Sequence, residues 1–316
     1  MKAWIRHLQI NLTSSTLKKT MEFGTNYLSD KDDLSIEVQT YKYLSTLKDT
    51  ATIQITNLTL AEVIQIIDGK YYDVEIKCGY KSGNITTIYS GSVLYISNET
   101  NNRNSNTIII LCASKLVAKY GQTRLNLNLN SSTNIFAAIN YVCRRAGIQN
   151  TNVSTQFKKQ FLDNIGVENT NVATWLDNMC SNNSSFIINS DASNTSILSI
   201  FDAAKSNNRV IILRDDNIIL QNYPRLTTEG VIIDAMPTFN FMPGDVIKID
   251  NSIIQIPVRN KSEISKNYGY FLDKDGYYMV FEVRGNFQNR GSNFNLQLLC
   301  KSRSLLSSYL AKGAKW

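Results

Sequence analysis

Residues 224–250 read PRLTTEGVIIDAMPTFNFMPGDVIKID, and three of the chain's four prolines fall inside them: Pro224, Pro237 and Pro243. Proline fixes φ and brings no N–H, so it belongs at turns and strand edges rather than in the middle of a sheet. Each of these prolines interrupts an apolar run. Gly230-Val231-Ile232-Ile233 reads as a strand, and Pro243-Gly244-Asp245 as a tight turn with proline second and glycine third. Val246-Ile247-Lys248-Ile249 is the strand that leaves the turn. Strand, kinked connector, Pro-Gly turn and strand make a β-barrel corner, and the residues alone do not say which barrel.

The flanks of this stretch extend the pattern. Upstream, Val210–Leu213 and Ile218–Leu220 read as short strands, and downstream Ser252–Ile256 reads as another. Tyr277, Met279, Phe281 and Val283 alternate with Tyr278, Val280, Glu282 and Arg284. After a loop at Gly285–Gly291, Phe294, Leu296, Leu298 and Cys300 alternate in turn, so the two runs predict an antiparallel hairpin. The tail SRSLLSSYLAKGAKW is either a short helix that docks on a neighbour or a frayed end.

The N-terminal third carries the same period of two. Leu8, Ile10 and Leu12 alternate, as do Leu34, Ile36 and Val38 after a polar loop at residues 29–33, and residues 51–56 form a β-branched run. Thr59 and Glu62 make a capping box for a short helix whose predicted buried stripe is Leu60, Val63, Ile64 and Ile67, closed by Gly69. Tyr72, Val74, Ile76 and Cys78 then form one face of a half-buried strand. A turn at Ser82-Gly83-Asn84 leads to strands at Ile85–Tyr89 and Val93–Ile96. The apolar run Thr107–Cys112 is a buried strand, with a helix left open by periodicity alone. Together these predict a small barrel with a helix plugging one side.

Between the two β regions the period changes. Ile135, Ile139, Val142, Cys143 and Ala146 form a helical stripe with Ser132 or Thr133 as cap, Arg144 and Arg145 in the last turn and Gly147 beyond. Val172, Trp175, Leu176, Met179 and Cys180 form a second, capped by Thr170 or Asn171, with strands at Phe186–Ile188 and Ser196–Phe201 behind it. Trp175 and Met179 read as core. The expected organisation of the 316 residues is a barrel at 1–120, a small α+β insert at 121–205, a second barrel at 206–302 and a tail at 303–316.

Composition narrows the function. The chain has 43% hydrophobic residues and a formal charge of +7, but its Lys and Arg are scattered and Arg144-Arg145 is its only adjacent arginine pair. No basic stripe points to nucleic-acid recognition. MKAWIRHLQINL has no apolar core of a signal peptide, and no run reaches the ~18 apolar residues of a membrane span, so folding in a cytoplasm without a membrane anchor is expected. The five cysteines, odd in number and without a C-x-x-C pair, read as buried free thiols, and the abundant Asn-x-Ser/Thr matches as chance.

Chemistry is scarce. His7 is the only histidine, which argues against a histidine-based triad or a zinc site. Asp273-Lys274-Asp275-Gly276 lacks the later glutamate of a calcium loop and reads as a turn. Neither phosphate-binding glycine motif occurs, so no cofactor is expected. A carboxylate-based cell-wall hydrolase remains open, although no acidic pair marks a cleft.

Three segments carry a resemblance. Pro224, Leu226, Thr227, Gly230, Val231 and Pro237, followed by Pro243, Gly244, Asp245, Ile247 and Ile249, match the second half of phage baseplate hub proteins. Ile55-Thr56-Asn57-Leu58, Cys78-Gly79-Tyr80 and Gly91-Ser92-Val93 match its first half in order and spacing, and residues 277–301 also contribute. The chain thus resembles the tail-tip hubs of contractile-tailed phages, related to phage late-control D-type proteins. The resemblance implies a mainly β, α+β chain of two similar antiparallel barrels with an insert, three copies of which form a pseudo-six-fold ring. It also implies a non-enzymatic, structural virion component of the tail baseplate, assembled in the host cytoplasm. Its implied partners are its own copies in a homotrimer, a trimeric central spike, the tail tube or a tube-initiator protein, and the tape measure and baseplate wedge proteins, with DNA only in transit through the pore. The structural motif it implies is Pro224, Thr227, Gly230, Pro237, Pro243, Gly244 and Asp245. A tail-tip peptidoglycan hydrolase, or the tube–spike adaptor of a related injection or secretion system, stands as the alternative.

Overall fold

Alternation in the first third becomes seven strands: β1 (Arg6–Ser14), β2 (Lys19–Gly24), β3 (Ser35–Tyr43), β4 (Thr50–Leu58), β5 (Asp73–Tyr80), β6 (Ile85–Thr100) and β7 (Asn106–Ala113). The computed structural model describes residues 6–14, 16–24, 34–44, 49–80, 85–100, 106–118, 123–129, 132–161, 165–182, 186–190, 197–201, 209–213, 220–256 and 272–303. Leu8, Ile10, Leu12, Ile36, Val38, Ile53, Ile55, Val74, Ile76 and Cys78 all point into one core. Thr107–Cys112 is a strand, not a helix: β7 pairs with β4 on one edge and β6 on the other, which suits its β-branched run. β6 pairs with β5 up to Ser92 and with β7 beyond it, so this one strand turns the corner of the sheet. Gly91 sits at that exchange, where a Cβ would lie 2.5 Å from the Ala113 carbonyl oxygen.

Helix α1 (Leu60–Asp68) begins with the predicted capping box: Glu62 N–H donates to Thr59 Oγ1 (3.3 Å) and Thr59 N–H to Glu62 Oε2 (2.9 Å). Its predicted stripe is corrected. Val63 and Ile66 are buried, whereas Leu60, Ile64 and Ile67 are 63%, 50% and 49% exposed. Nine residues carry five large apolar side chains, more than one narrow face can bury, and the helix is rotated so that Val63 and Ile66 reach the core. Gly69 closes the helix in right-handed conformation, and the left-handed residue is Lys70 (φ 48°). Glycine is required at 69 by the Tyr71 ring, which would stand 2.2 Å from a Cβ.

The middle of the chain builds a second core on β8 (Arg124–Leu129), α2 (Ile135–Arg145), β9 (Thr151–Val153), β10 (Ile165–Asn171), α3 (Val172–Asn182), β11 (Phe186–Ser190) and β12 (Ile197–Phe201). Both helical stripes bury as expected, Trp175 and Met179 included. The cap of α2 is Asn134, whose Oδ1 accepts from Ala137 N–H at 2.8 Å, rather than Ser132 or Thr133. Helix α3 uses Asn171, which accepts from Thr174 N–H at 2.7 Å. Gly147 (φ 85°) ends α2 in a Schellman motif: Ile148 N–H donates to the Cys143 carbonyl (2.8 Å) and Gly147 N–H to that of Arg144 (3.0 Å).

The last third adds β13 (Val210–Ile212), β14 (Arg225–Leu226), β15 (Val231–Ala235), β16 (Val246–Lys248), β17 (Tyr277–Gln288) and β18 (Phe294–Ser302). These strands join the first seven in one sheet of order β14-β15-β18-β17-β3-β4-β7-β6-β5-β1-β2, with β16 on β17 and β13 on β16. The β3–β17 ladder, from Glu282↔Tyr43 to Gln288↔Glu37, is the seam, and a single hydrophobic cluster runs beneath it.

Three expectations in this region are corrected. Residues 251–253 form a 3-10 turn instead of a strand, because the Asp250 carboxylate accepts from Ser252 N–H at 2.9 Å. The alternation of β17 breaks at a bulge between Val280 and Glu282, which moves Val283 and Phe287 to the core face. β17 also runs on to Gln288, past the loop expected at Gly285. Gly285 is a packing glycine, whose added Cβ would meet Thr40 Oγ1 and the Phe287 ring at 2.4 Å. The Ser82-Gly83-Asn84 turn, the loop at 29–33, the start of the 218–220 strand and the tail after Arg303 lie outside the described residues.

Candidate functional site

The motif residues of the opening stretch are mostly buried, and they form three separate nodes rather than a cleft. At the first, Asp245 N–H donates to the Met242 carbonyl (3.0 Å) with Gly244 at φ 92°, a type II turn that matches the predicted Pro-Gly geometry. Gly244 N–H donates to the Val280 carbonyl (2.7 Å) and Val280 N–H to that of Asp245 (2.8 Å), so the turn is knitted into β17. The Asp245 carboxylate accepts from Met242 N–H (2.8 Å) and from Arg209 Nε (3.1 Å) and Nη2. Arg209 also donates to the Asn240 carbonyl and lies over the Phe239 ring.

The second node joins Thr227 and Gly230, the ends of the β14–β15 hairpin. Thr227 N–H and Oγ1 both donate to the Gly230 carbonyl, at 2.8 and 2.9 Å. Gly230 adopts φ 143°, and a Cβ there would stand 2.4 Å from the Cys300 carbonyl oxygen. Pro224 belongs to the same hairpin, and its carbonyl accepts from Gln255 N–H at 2.7 Å. Pro237 forms the third node, where its carbonyl receives the Cys78 thiol at 3.9 Å, beside the Thr86 hydroxyl on the Thr238 carbonyl. These last bonds tie the connector to β5 and β6.

Three further buried carboxylates, Asp234, Asp273 and Glu282, tie elements together, and of these only the Asp273 turn was singled out by sequence reasoning. Asp234 accepts from Arg225 (3.1 Å), Asn222 (3.4 Å) and Gln297 (3.1 Å). Asp273, 2% exposed, accepts at Oδ1 from the N–H groups of Asp275 and Tyr277 and at Oδ2 from the Ser302 hydroxyl. It is the organiser of the predicted Asp-Gly turn, in which Gly276 takes φ 71°. Glu282 holds Arg284, and both stand opposite the stacked Tyr41 and Tyr43 at the seam. The Glu282 hydrogen bond raises the Arg284 guanidinium, while burial and the Glu282 charge raise the Tyr43 phenol. For Asp234 and Glu282 the available signal was an acid inside an apolar strand run, whereas Asp273 lies in the turn that precedes β17.

These contacts tie strands and turns to one another. An open depression of about 660 Å³ is lined by Leu220, Tyr223, Arg225, Asp234 and Ile253 among others, and Asp234, its one lining carboxylate, is fully engaged. Glycoside hydrolysis calls for two facing carboxyl groups, which this depression does not offer. The five thiols are buried, and burial pushes those of Cys112 and Cys143 up to about 12, away from nucleophilic use. His7 lies in β1 with Nε2 3.3 Å from Gln9 Oε1. Among the described residues no cluster of His, Cys, Asp or Glu is placed to hold a metal ion, and no helix is long and apolar enough to cross a membrane.

No protein-family model and no curated protein matches the sequence. Solved structures do match the fold. The 43 kDa tail protein of prophage MuSo2 from Shewanella oneidensis superposes with a TM-score of 0.58 at 10% identity, over 94% of this chain and 98% of that one. A tail protein from Neisseria meningitidis gives 0.54 at 7% identity, over 94% and 96%. An E. coli component of the type VI secretion system, described as structurally similar to the T4 bacteriophage tail proteins gp27 and gp5, gives 0.55 at 11% identity over 85% and 73%. This chain has the fold of phage tail proteins and of that secretion-system component.

Proposed function

We propose that this protein is a structural baseplate hub: a homotrimeric adaptor that joins a hexameric tail tube to a trimeric central spike. The observation that carries the reading is the match of nearly the whole chain to solved phage tail proteins. Physically, two similar barrel-like units per chain, bounded at 1–120 and 206–302, place six units around a three-fold axis. Such a ring meets a six-fold tube on one side and a three-fold spike on the other. The insert at 121–205 has its own core and supplies surface for wedge or tape measure proteins, while the pore passes DNA. The mature protein belongs to the baseplate of the virion. In this reading the motif residues Pro224, Thr227, Gly230, Pro237, Pro243, Gly244 and Asp245 shape the second unit and take no part in chemistry.

The likeness to the E. coli type VI component favours one second reading, in which the same adaptor serves a contractile secretion system. An affinity-tagged copy, gold-labelled on purified particles, tests the placement. Label confined to one end of the tail is expected. Label spread along the tube, or free of particles, would overturn the hub reading, and lysis of purified cell walls by the protein would replace it with the hydrolase.

A further inference from the structure

The positive charge of this chain is gathered in one region. Residues 100–162 hold eight basic residues and no Asp or Glu, which leaves 25 basic (33 − 8) against 26 acidic residues everywhere else. Adjacent arginines alone do not reveal this, because the fold rather than the order of residues brings the cations together. A 3-10 turn (Thr155–Lys159) packs on the start of α2: Ile135 N–H donates to the Gln160 carbonyl at 2.9 Å, and Lys158 Nζ stands 5.1 Å from the centre of the Phe136 ring. Towards the other end of α2, the Arg145 guanidinium lies over the Tyr141 ring at 5.9 Å. Helical spacing turns Tyr141, Arg144 and Arg145 away from the buried Ile135, Ile139 and Val142. Arg144, Arg145, Lys158 and Lys159 are all exposed, and among the described residues none of them pairs with a carboxylate. Two rings accompany them: Tyr141, 45% exposed, and Phe161, 62% exposed and bridged to Asn134 at the cap of α2.

We propose that this surface binds the phosphate backbone of nucleic acid. From Phe136 to Arg145 the strip runs about 14 Å along α2, the length of roughly four phosphates of one strand, and it presents four cations. Arg144 and Arg145 suit the negative end of the helix dipole, yet the dipole accounts for neither the lysine pair on a separate element nor the missing acids. Cations interleaved with exposed rings let phosphates pair while bases lie on the aromatic faces. An acidic polypeptide meets the same charges but brings no flat base to stack on Tyr141 or Phe161. The proposal adds a nucleic-acid contact to the protein contacts of the insert, and it does not depend on the hub reading.

The test titrates full-length protein into a fluorescent single-stranded oligonucleotide and its duplex, and follows anisotropy over a series of salt concentrations. Four phosphate contacts predict that the logarithm of the binding constant falls with that of salt at a slope of about −3. The double variant Arg144→Gln/Arg145→Gln should bind roughly tenfold or more weakly and reduce the slope by about 1.5. Tyr141→Leu should weaken the single strand by roughly fivefold or more, which reads base stacking separately from phosphate pairing. Lys19→Gln/Lys274→Gln removes two exposed charges outside the strip and should leave binding unchanged. All these positions are exposed, so each variant should melt with the parent. The proposal is overturned if neither oligonucleotide binds at low salt, or if the Lys19/Lys274 variant loses as much affinity as the Arg144/Arg145 variant. Polyglutamate that displaces the oligonucleotide as well as unlabelled nucleic acid does, charge for charge, would overturn it in favour of an acidic protein partner.

Discussion

Replacing Gly244 isolates the backbone requirement of the turn from every side-chain contact. With φ at 92°, Gly244 occupies the third position of a type II turn closed by the 3.0 Å bond from Asp245 N–H to the Met242 carbonyl. An L-residue held in left-handed backbone costs about 1–2 kcal/mol. Escaping the strain by flipping the central peptide would misdirect the Gly244 N–H that reaches the Val280 carbonyl, a bond worth about 1 kcal/mol net. Gly244→Ala should therefore lose about 2 kcal/mol by whichever route is cheaper. Gly244→Val should lose about 3, because its β-branch is the least tolerant of positive φ. At about 2–4 °C per kcal/mol, the alanine variant should melt roughly 4–8 °C below the parent. Pro243→Ala, at a position any residue can adopt, should cost under ~1 kcal/mol and serves as the control. Thermal melts followed by circular dichroism, with soluble yield alongside, measure this. Both Gly244 variants melting with the parent would refute the strained-turn argument.

Other perturbations probe other levels. Asp273→Ala would orphan the Asp275 and Tyr277 N–H groups and the Ser302 hydroxyl, and should cost about 2–4 kcal/mol in denaturant unfolding. Thr59→Ala removes the hydroxyl that accepts from Glu62 N–H in the α1 capping box and should cost about 1 kcal/mol, visible as faster amide exchange along that helix. Burial pushes the Tyr278 phenol up to about 12 from an ordinary 10.0, so its neutral form is the one the fold favours. That contribution is intact below pH 10 and is lost as pH rises from 10 through 12; urea midpoints should fall over that window, and less steeply in Tyr278→Phe. Aromatic-disulfide reagents at pH 8 should find no fast-reacting cysteine in the native protein and five after denaturation.

The sequence was most legible where one residue's geometry is forced. Gly244 between Pro243 and Asp245, the Thr59–Glu62 box and Gly147 after a basic last turn each predicted the observed local structure, because only a few backbone conformations suit those residues. Periodicity was weaker. On α1 five apolar side chains support two overlapping stripes, and tertiary packing chose Val63 and Ile66. The bulge at Phe281 shifts the face of β17 midway, a displacement that alternation cannot announce. Long-range pairing was not legible at all. Glu282 and Tyr43 face each other across the seam although 239 positions (282 − 43) separate them, and nothing local in either strand names the other. The same holds for the site. Cys78 on Pro237 and Arg6 on the Ser292 carbonyl are products of the fold.

The central claim is that this chain assembles into a three-fold ring that receives a spike. Multi-angle light scattering of the purified full-length protein, alone and mixed with the trimeric spike protein of the same tail, tests it most directly. The expected result is three times the 35.7 kDa chain mass, rising by one spike trimer in the mixture. A monomer in both samples would contradict it.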